Sequence, residues 1–356
     1  MKQIVTMLLI LILLTSACSN SNSTQTQDQL EAAIIIPLTG AASSVGEDFL
    51  NGMLLAKEEL KSNVLLHIED SQTNPKEALN AAKKILESKN IDVLVSVMSI
   101  TANVITPLAE QYNIPQIASV VSDDDFTEKS INNFRLFTRA SEDAKLAAEF
   151  ASRQKLKLST LTILDDYGKS IKEHFKSNFK GKLLHEEEYL PQNTDFKTSL
   201  TKISGSDAIY FAGYPPHYIN LLKQRKELGS NITLISNVVL GSRLMRVNAG
   251  KIIGSAYATV PKSMLDNEKS KEFDSKYESK YSKKPDWSAS YGYDMMLVLD
   301  AVSKSEKGKQ KKDQKSALYK IRVDGLNGEI KFDSSRESNI PLFVAKVNEE
   351  GLKVVE

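Results

Sequence analysis

From Leu30 onward, short apolar runs alternate with segments whose apolar residues recur at helical spacing. Few architectures accept that alternation. Repeated βαβ units build a parallel sheet with helices packed on both faces. The runs predict strands at Ala32–Ile36, Val64–Ile68, Ile91–Val97, Ile114–Val120, Thr160–Leu164, around Glu188, Ala208–Ala212, Ile232–Ser236, within Ile252–Val260, and at Gly328–Phe332 and Leu342–Val347. Ile91–Val97 is apolar in the manner of strands buried on both faces. Between them, Ser44 and Glu47 have capping-box spacing ahead of a stripe of Phe49, Met53, Ala56 and Leu60. Asn74-Pro75 with Glu77 predicts a second helix start. A third helix is expected over Asn103–Gln111, with Pro107 blurring its beginning. Further helices are predicted over Glu142–Gln154, Ser170–Phe179, Phe196–Ile203, His217–Leu228, Lys269–Tyr281 and Ala289–Val302. These strands are too many for one compact sheet. The fold class is therefore α/β with two Rossmann-like, doubly wound lobes, and 356 residues suit two domains.

Charge and rare residues narrow the function. Lys and Arg number 46 against 45 Asp and Glu, a net charge of +1. Nucleic acid is thus not an expected partner, since displacing phosphate counterions needs a basic excess. One cysteine excludes an internal disulfide and any CxxC site. His67, His174, His185 and His217 are scattered, so neither a metal nor another cofactor is expected. Catalytic signatures are sparse. No GxGxxG follows a strand, and there is no GxSxG elbow. Tyr167-Gly168-Lys169-Ser170 resembles the tail of a phosphate-binding loop, but Ile163 stands where that loop needs its first glycine. The acidic clusters Asp123-Asp124-Asp125 and Asp165-Asp166 read as helix N-termini and strand ends. The lysine-rich stretch Lys304–Lys315 reads as a solvated loop. The weight falls on binding, not on an enzyme.

The N-terminus carries an address. Lys2 precedes an uncharged run from Ile4 to Leu14, then Thr15-Ser16-Ala17 and the sole cysteine, Cys18. The run is too short to span a bilayer and reads as an export signal. It resembles a bacterial lipoprotein signal, in which Cys18 becomes the acylated first residue, although Thr15 occupies a position usually held by leucine. Ser19–Gln27 has nothing apolar to bury and reads as a flexible tether. Residues 1–17 are then the signal and 18–29 the tether.

A wider resemblance rests on an ordered set of short pieces. They are Ile34-Ile35-Ile36-Pro37-Leu38-Thr39-Gly40, Ser44-Val45-Gly46-Glu47, Asn51-Gly52, Glu69-Asp70, Asn113-Ile114-Pro115, Phe134-Arg135-Leu136, Asp166-Tyr167-Gly168, Phe211-Ala212-Gly213-Tyr214 and Tyr291-Gly292-Tyr293-Asp294. Together they resemble the type 1 periplasmic binding proteins of the leucine/isoleucine/valine-binding group, over nearly the whole chain after the tether. The resemblance implies two lobes joined by three crossovers, with a ligand closed between them. Lobe 1 would be 30–140 plus 261–331, and lobe 2 would be 141–260 plus 332–356.

The same resemblance implies a site. Ser99, assisted by Thr101, would hold a ligand carboxylate; Ser122 and the Val120 carbonyl would hold the polar head; Tyr167 and Tyr214 would close from lobe 2. Two positions depart. Val45 stands where an aromatic residue is common, and Val238 where amino-acid binders carry an acid for the ligand ammonium. Either another acid such as Asp123 or Asp165 compensates, or the ligand carries a carboxylate or amide and no buried ammonium. The implied function is the substrate-binding lipoprotein of an ABC importer, with a small-molecule ligand and an ABC permease as partners. Its place would be the extracytoplasmic cell envelope, held to the membrane only by the lipid anchor. The alternative is an envelope lipoprotein of the same fold that regulates cell-wall synthesis through protein contacts, which Ser19 after Cys18 also suits.

Overall fold

The computed structural model describes residues 29–305 and 313–355. The export signal, Cys18, all of the tether but its last residue, and 306–312 of the lysine-rich stretch lie outside the described residues.

The chain opens with β1 (Glu31–Ile36), α1 (Ser43–Glu59), β2 (Leu65–Asp70), α2 (Pro75–Ser88), β3 (Val93–Val97), α3 (Ser99–Tyr112), β4 (Gln116–Ser119) and β5 (Asn133–Leu136). It continues with α4 (Ala140–Arg153), β6 (Leu158–Ile163), α5 (Asp166–Asn178), β7 (Leu183–Tyr189), α6 (Lys197–Lys202), β8 (Ala208–Ala212), α7 (Pro215–Glu227), β9 (Thr233–Ser236), α8 (Val238–Gly241), α9 (Arg243–Ala249) and β10 (Ala256–Pro261). Then come α10 (Glu268–Tyr281), α11 (Trp287–Lys304), α12 (Gln314–Leu318), β11 (Val323–Asp324), β12 (Glu329–Ile330), β13 (Leu342–Val347) and β14 (Leu352–Val354).

Two large sheets result. The first is wholly parallel in the order β2-β1-β3-β4-β5. The second has the order β14-β13-β10-β9-β8-β6-β7, with β13 and β14 antiparallel to their neighbours. Each sheet buries both faces. In the first lobe Ile34, Val95, Phe49 and Met295 pack on one side, and Ile35, Leu94, Ile85 and Ile105 on the other. In the second lobe the two layers are built around Phe211, Tyr218 and Leu234, and around Phe175, Tyr210 and Ala148. The central strands β1, β3 and β8 have buried residues with neighbours on both sides, so the doubly wound expectation is met.

Helices α1 and α11 meet so closely that each needs a glycine. A Cβ on Gly52 would fall 1.9 Å from the Ala289 carbonyl oxygen, and one on Gly292 would fall 1.8 Å from that of Phe49. This contact ties α11, which follows the second sheet's β10, back to the first lobe. The chain crosses a third time before β13. Phe332 and Ile340 still pack in the first core, with the Phe332 ring edge-on to Phe134 at 5.3 Å. Residues 332–341 therefore do not join the second lobe; its C-terminal part starts at Leu342.

Several local expectations change. Ser44 is inside α1, whose N-cap is Ala42 with no side-chain cap; the Ala42 N–H donates to Thr73 Oγ1 at 3.1 Å instead. Asn74 caps α2, its side-chain oxygen accepting from Lys76 N at 2.9 Å. Pro107 sits inside α3, which begins at Ser99. Gly328–Phe332 contributes only the two-residue β12, paired with β11. Strand β5 is not foreseen by the pattern, because Asn133 and Arg135 break its apolar run while both remain fully buried.

Candidate functional site

The first half of the site grows from the carboxyl ends of adjacent strands β3 and β4. In open α/β sheets this is where ligand crevices form. After β3 comes Met98, with φ 77° and ψ 145°, and then Ser99, the first residue of α3. After β4 comes Val120, with φ 57°. A β-branched residue in the left-handed region is strained, and so is Met98; such strain gathers at functional sites. Met98 N–H donates to the Ser119 carbonyl at 3.0 Å, locking the two strand ends together. Thr101 is fully buried and its hydroxyl has no hydrogen-bond partner. The first N–H groups of a helix have no intrahelical acceptor, so this end of α3 is suited to an anion. Ser122 is half-buried, and its carbonyl accepts from Ala140 N at 2.9 Å, where the chain leaves for the second lobe.

Arg135 anchors the loop that carries Ser122. Its side chain is fully buried on β5. It donates to the carbonyls of Val121 (3.1 Å), Asp123 (2.6 Å) and Asp124 (3.2 Å). It also pairs with Glu337, Nε to Oε2 at 2.9 Å and Nη2 to Oε1 at 3.0 Å.

The second half grows from β6, β8 and β9, which are neighbours. Asp165 follows β6 and caps α5, accepting from Gly168 N at 2.8 Å. Tyr214 follows β8 and donates to Asp165 Oδ2 at 2.8 Å. The rings of Tyr167 and Tyr214 stack at 6.2 Å and 26°. Asn237 follows β9 and donates to the Tyr167 hydroxyl oxygen; the Tyr218 hydroxyl donates to Asn237 Oδ1 at 3.2 Å. Burial, with lesser repulsion from Tyr218, Tyr210 and Asp143, holds the Tyr167 phenol well above its ordinary range. Burial and then Asp165 push Tyr214 up as well. Both remain neutral hydroxyls able to donate or accept.

The six expected positions thus fall into two groups. Ser99, Thr101, Val120 and Ser122 share neighbouring strand ends, and Tyr167 and Tyr214 touch each other. Among the described residues no hydrogen bond joins one group to the other. The lobes do meet nearby: His174 Nε2 on α5 lies 2.8 Å from Asp124 Oδ2, and Asp286, at the start of α11, accepts from the N–H groups of Arg243 and Leu244 at 3.0 Å each. Val238 begins α8 and Val45 lies in the first turn of α1, both half-buried.

Neither acid considered as a substitute for Val238 is free. Asp123 is bonded to Lys129 at 2.5 Å and to Asn103 at 3.0 Å. Burial opposes its charge, but hydrogen bonding with Asp125, Lys129 and Asn103 outweighs burial and brings its pKa down to about 2. Asp165 is occupied by Gly168 and Tyr214. Asn237 joins the site without having been expected there, although an asparagine between an apolar strand and a helix start is a legible cap. Among the described residues no group of three His, Cys, Asp or Glu side chains could hold a metal ion. No described helix is long and apolar enough to cross a membrane.

The family model described as periplasmic binding protein matches residues 29–351. The chain belongs to the periplasmic binding protein family. The Leu/Ile/Val-binding protein BraC3 of Rhizobium johnstonii is 26% identical over 218 residues, which is 57% of this chain and 59% of that protein. The chain thus matches about six-tenths of that relative's length. A branched-chain amino acid transporter substrate-binding protein from Streptococcus pneumoniae, solved with isoleucine, superposes with a TM-score of 0.81 at 19% identity, covering 92% of this chain and 99% of that one. A solute-binding protein of an ABC transporter from R. palustris, solved with benzoate, gives a TM-score of 0.82 at 20% identity, covering 92% and 95%. These neighbours are solute-binding proteins, not enzymes, and they establish the two-lobed type 1 fold.

Proposed function

We propose that this chain is the extracytoplasmic substrate-binding lipoprotein of an ABC importer. It closes its two lobes on a small amino-acid-like, carboxylate or amide ligand and then docks to a membrane permease. Ser99, Thr101 and Ser122 with nearby backbone N–H groups hold the ligand's anionic or amide end, the Val120 carbonyl accepts from its polar head, and Tyr167 and Tyr214 cover it. The observation that carries this reading is the pair of strained residues, Met98 and Val120, at the carboxyl ends of adjacent β3 and β4. Strain of this kind gathers at ligand-binding sites. Relatives solved with isoleucine and with benzoate share a carboxylate, which fits donors rather than a metal at this end. Acylated Cys18 holds the body to the membrane through residues 19–29.

A thermal-shift panel tests the reading, with leucine, valine, polar amino acids, their deaminated analogues and small amides. A ligand at 100 times its Kd stabilises by about 2.7 kcal/mol. For lobes of ordinary domain size that is a rise of about 5–10 °C. Ser99→Ala and Ser122→Ala should remove most of it. Silence across the panel refutes the reading and favours the alternative, a regulator acting by protein contact. Intact mass and detergent partitioning of the native protein test Cys18; a soluble product starting elsewhere refutes the anchor.

A further inference from the structure

A single carboxylate is shared between the two lobes. Asp286 is the N-cap of α11 in the first lobe, and its Oδ1 accepts from Trp287 N at 2.8 Å. The same side chain reaches the second lobe, where Oδ1 accepts from Arg243 N and Oδ2 from Leu244 N, at 3.0 Å each. Arg243 and Leu244 open α9. The first N–H groups of a helix have no acceptor within it. Ser242, the N-cap of α9, accepts from Met245 N at 3.2 Å. One lobe therefore supplies the acceptor that two N–H groups of the other lobe's helix need. The first-lobe end is held firmly. Lys283, just ahead of Asp286, pairs on α1 with Glu47 at 2.7 Å and Asp48 at 3.0 Å, and Asp48 also accepts from the Tyr277 hydroxyl on α10 at 2.8 Å. The second-lobe end runs back into the candidate site: α9 follows α8, and α8 starts beside Asn237, which donates to Tyr167.

We propose that Asp286 is a latch between the lobes: its carboxylate, fixed on the first lobe, caps α9 of the second and biases the chain towards the arrangement in which the lobes meet. This goes beyond the solute-binding reading, because the latch acts with the crevice empty. Opening the lobes takes Asp286 away from α9 and returns both N–H groups to water, so opening removes a helix cap. The acceptor is charged, which strengthens both bonds, and a carboxylate at a helix N-terminus is favoured by the helix dipole. A second inter-lobe pair, His174 with Asp124, differs in kind. Asp124 also accepts from Ser141 N at 3.2 Å, where the chain crosses between lobes, so that pair belongs to the hinge. Arg243 and Asp286 instead stand on opposite sides of Pro261 in sequence, well away from the crossing that follows β10. The latch thus sets how much of the empty chain is already closed, and the apparent affinity of any occupant scales with that fraction.

The experiment measures the distance between lobes in the full chain with no ligand added. Spin labels are placed at Lys76→Cys and Gln192→Cys, exposed positions beyond the carboxyl ends of β2 and β7. Cys18→Ser leaves them as the only thiols. Pulsed electron spin resonance then reads the ratio of long to short separations. Asp286→Ala, which removes the acceptor, should raise that ratio about tenfold, the size of a lost cap. Asp286→Asn keeps one acceptor oxygen and should fall between Asp286→Ala and wild type. Arg243→Pro breaks the latch from the other lobe by deleting one donor. Proline is tolerated at the first position of a helix, and Ser242 before it is already extended, with φ −57° and ψ 149°. Its ratio should rise about threefold, and a circular dichroism melt checks that each variant folds. Unchanged distances in Arg243→Pro overturn the proposal, even if Asp286→Ala shifts them, because Asp286 would then act only within α11. Unchanged distances in Asp286→Ala overturn it as well. Neither outcome touches the solute-binding reading, which the thermal-shift panel tests separately.

Discussion

Replacing Arg135 by methionine tests whether one buried guanidinium holds the site loop. Arg135 is fully buried and Glu337 nearly so, with side-chain exposures of 0% and 7%. The Arg135→Met change would leave Glu337 with Thr127 Oγ1, which donates to it at 2.9 Å, as its remaining side-chain partner among those described. The carbonyls of Val121, Asp123 and Asp124 would lose a donor at the same time. Removing one member of a buried pair costs about 3–5 kcal/mol, mostly because the other charge is stranded. At about 2–4 °C per kcal/mol for domains of this size, the melting temperature should fall by about 6–20 °C. The double variant Arg135→Met/Glu337→Met has no stranded charge and should recover a large part of that loss. It should still bind ligand poorly, because the loop bearing Ser122 has lost its anchor. Urea melts of wild type and both variants, with the thermal-shift panel described above, measure both quantities. A loss under 1 kcal/mol for Arg135→Met, well below the range for a broken buried pair, or full ligand affinity in the double variant, refutes the argument.

Other perturbations have equally definite outcomes. Gly292→Ala puts a Cβ against the Phe49 carbonyl and should destabilise by about 1–3 kcal/mol, read as a lower urea midpoint. Thr101→Val removes a buried hydroxyl that has no partner, so stability should hold or rise by up to about 1–3 kcal/mol while ligand affinity falls. Tyr167→Phe deletes the acceptor for Asn237 and should weaken ligand binding several-fold, with the melting temperature less affected. Burial pushes the Asp143 carboxyl up to about 7, against the Thr259 hydrogen bond. The native state then holds this proton more tightly than the unfolded chain, so its contribution to stability rises as pH falls from about 7 towards 4. Tyr167, Tyr210, Tyr218 and Tyr291, whose phenols its charge pushes up, stay neutral over that range. Asp143→Asn should therefore exceed wild type in stability most at pH 8, and the gap should shrink steadily below pH 7 and close by about pH 4 in paired urea melts.

What the sequence made legible follows from the range of the interactions involved. Strand β8 is Ala208–Ala212 as read, because five consecutive apolar residues between turns leave little choice. The cap at Asn74 is likewise local, a side chain bonded to N–H groups two and three residues on. Strand β5 failed to appear because its Arg135 is made tolerable by Glu337, some 200 residues later, and no window of about 11–18 residues contains both. The same distance in sequence hid the end of the first lobe: the resemblance puts residues from 332 onward in the second lobe, and only the Phe134 ring beside Phe332 shows that the chain there still packs in the first core.

The site divides along the same line. Positions just after parallel strands can be located from periodicity, and the resemblance assigned Ser99, Ser122, Tyr167 and Tyr214 among them. Their chemistry could not be completed that way. The left-handed backbone at Met98 and Val120 has no sequence signal, since methionine and valine are residues that seldom adopt it. Asp143 reads in the sequence as an ordinary acid in a helix's first turn, where a solvated carboxylate is the expected reading. Only the return of β10 beside α4 brings Thr259 to it.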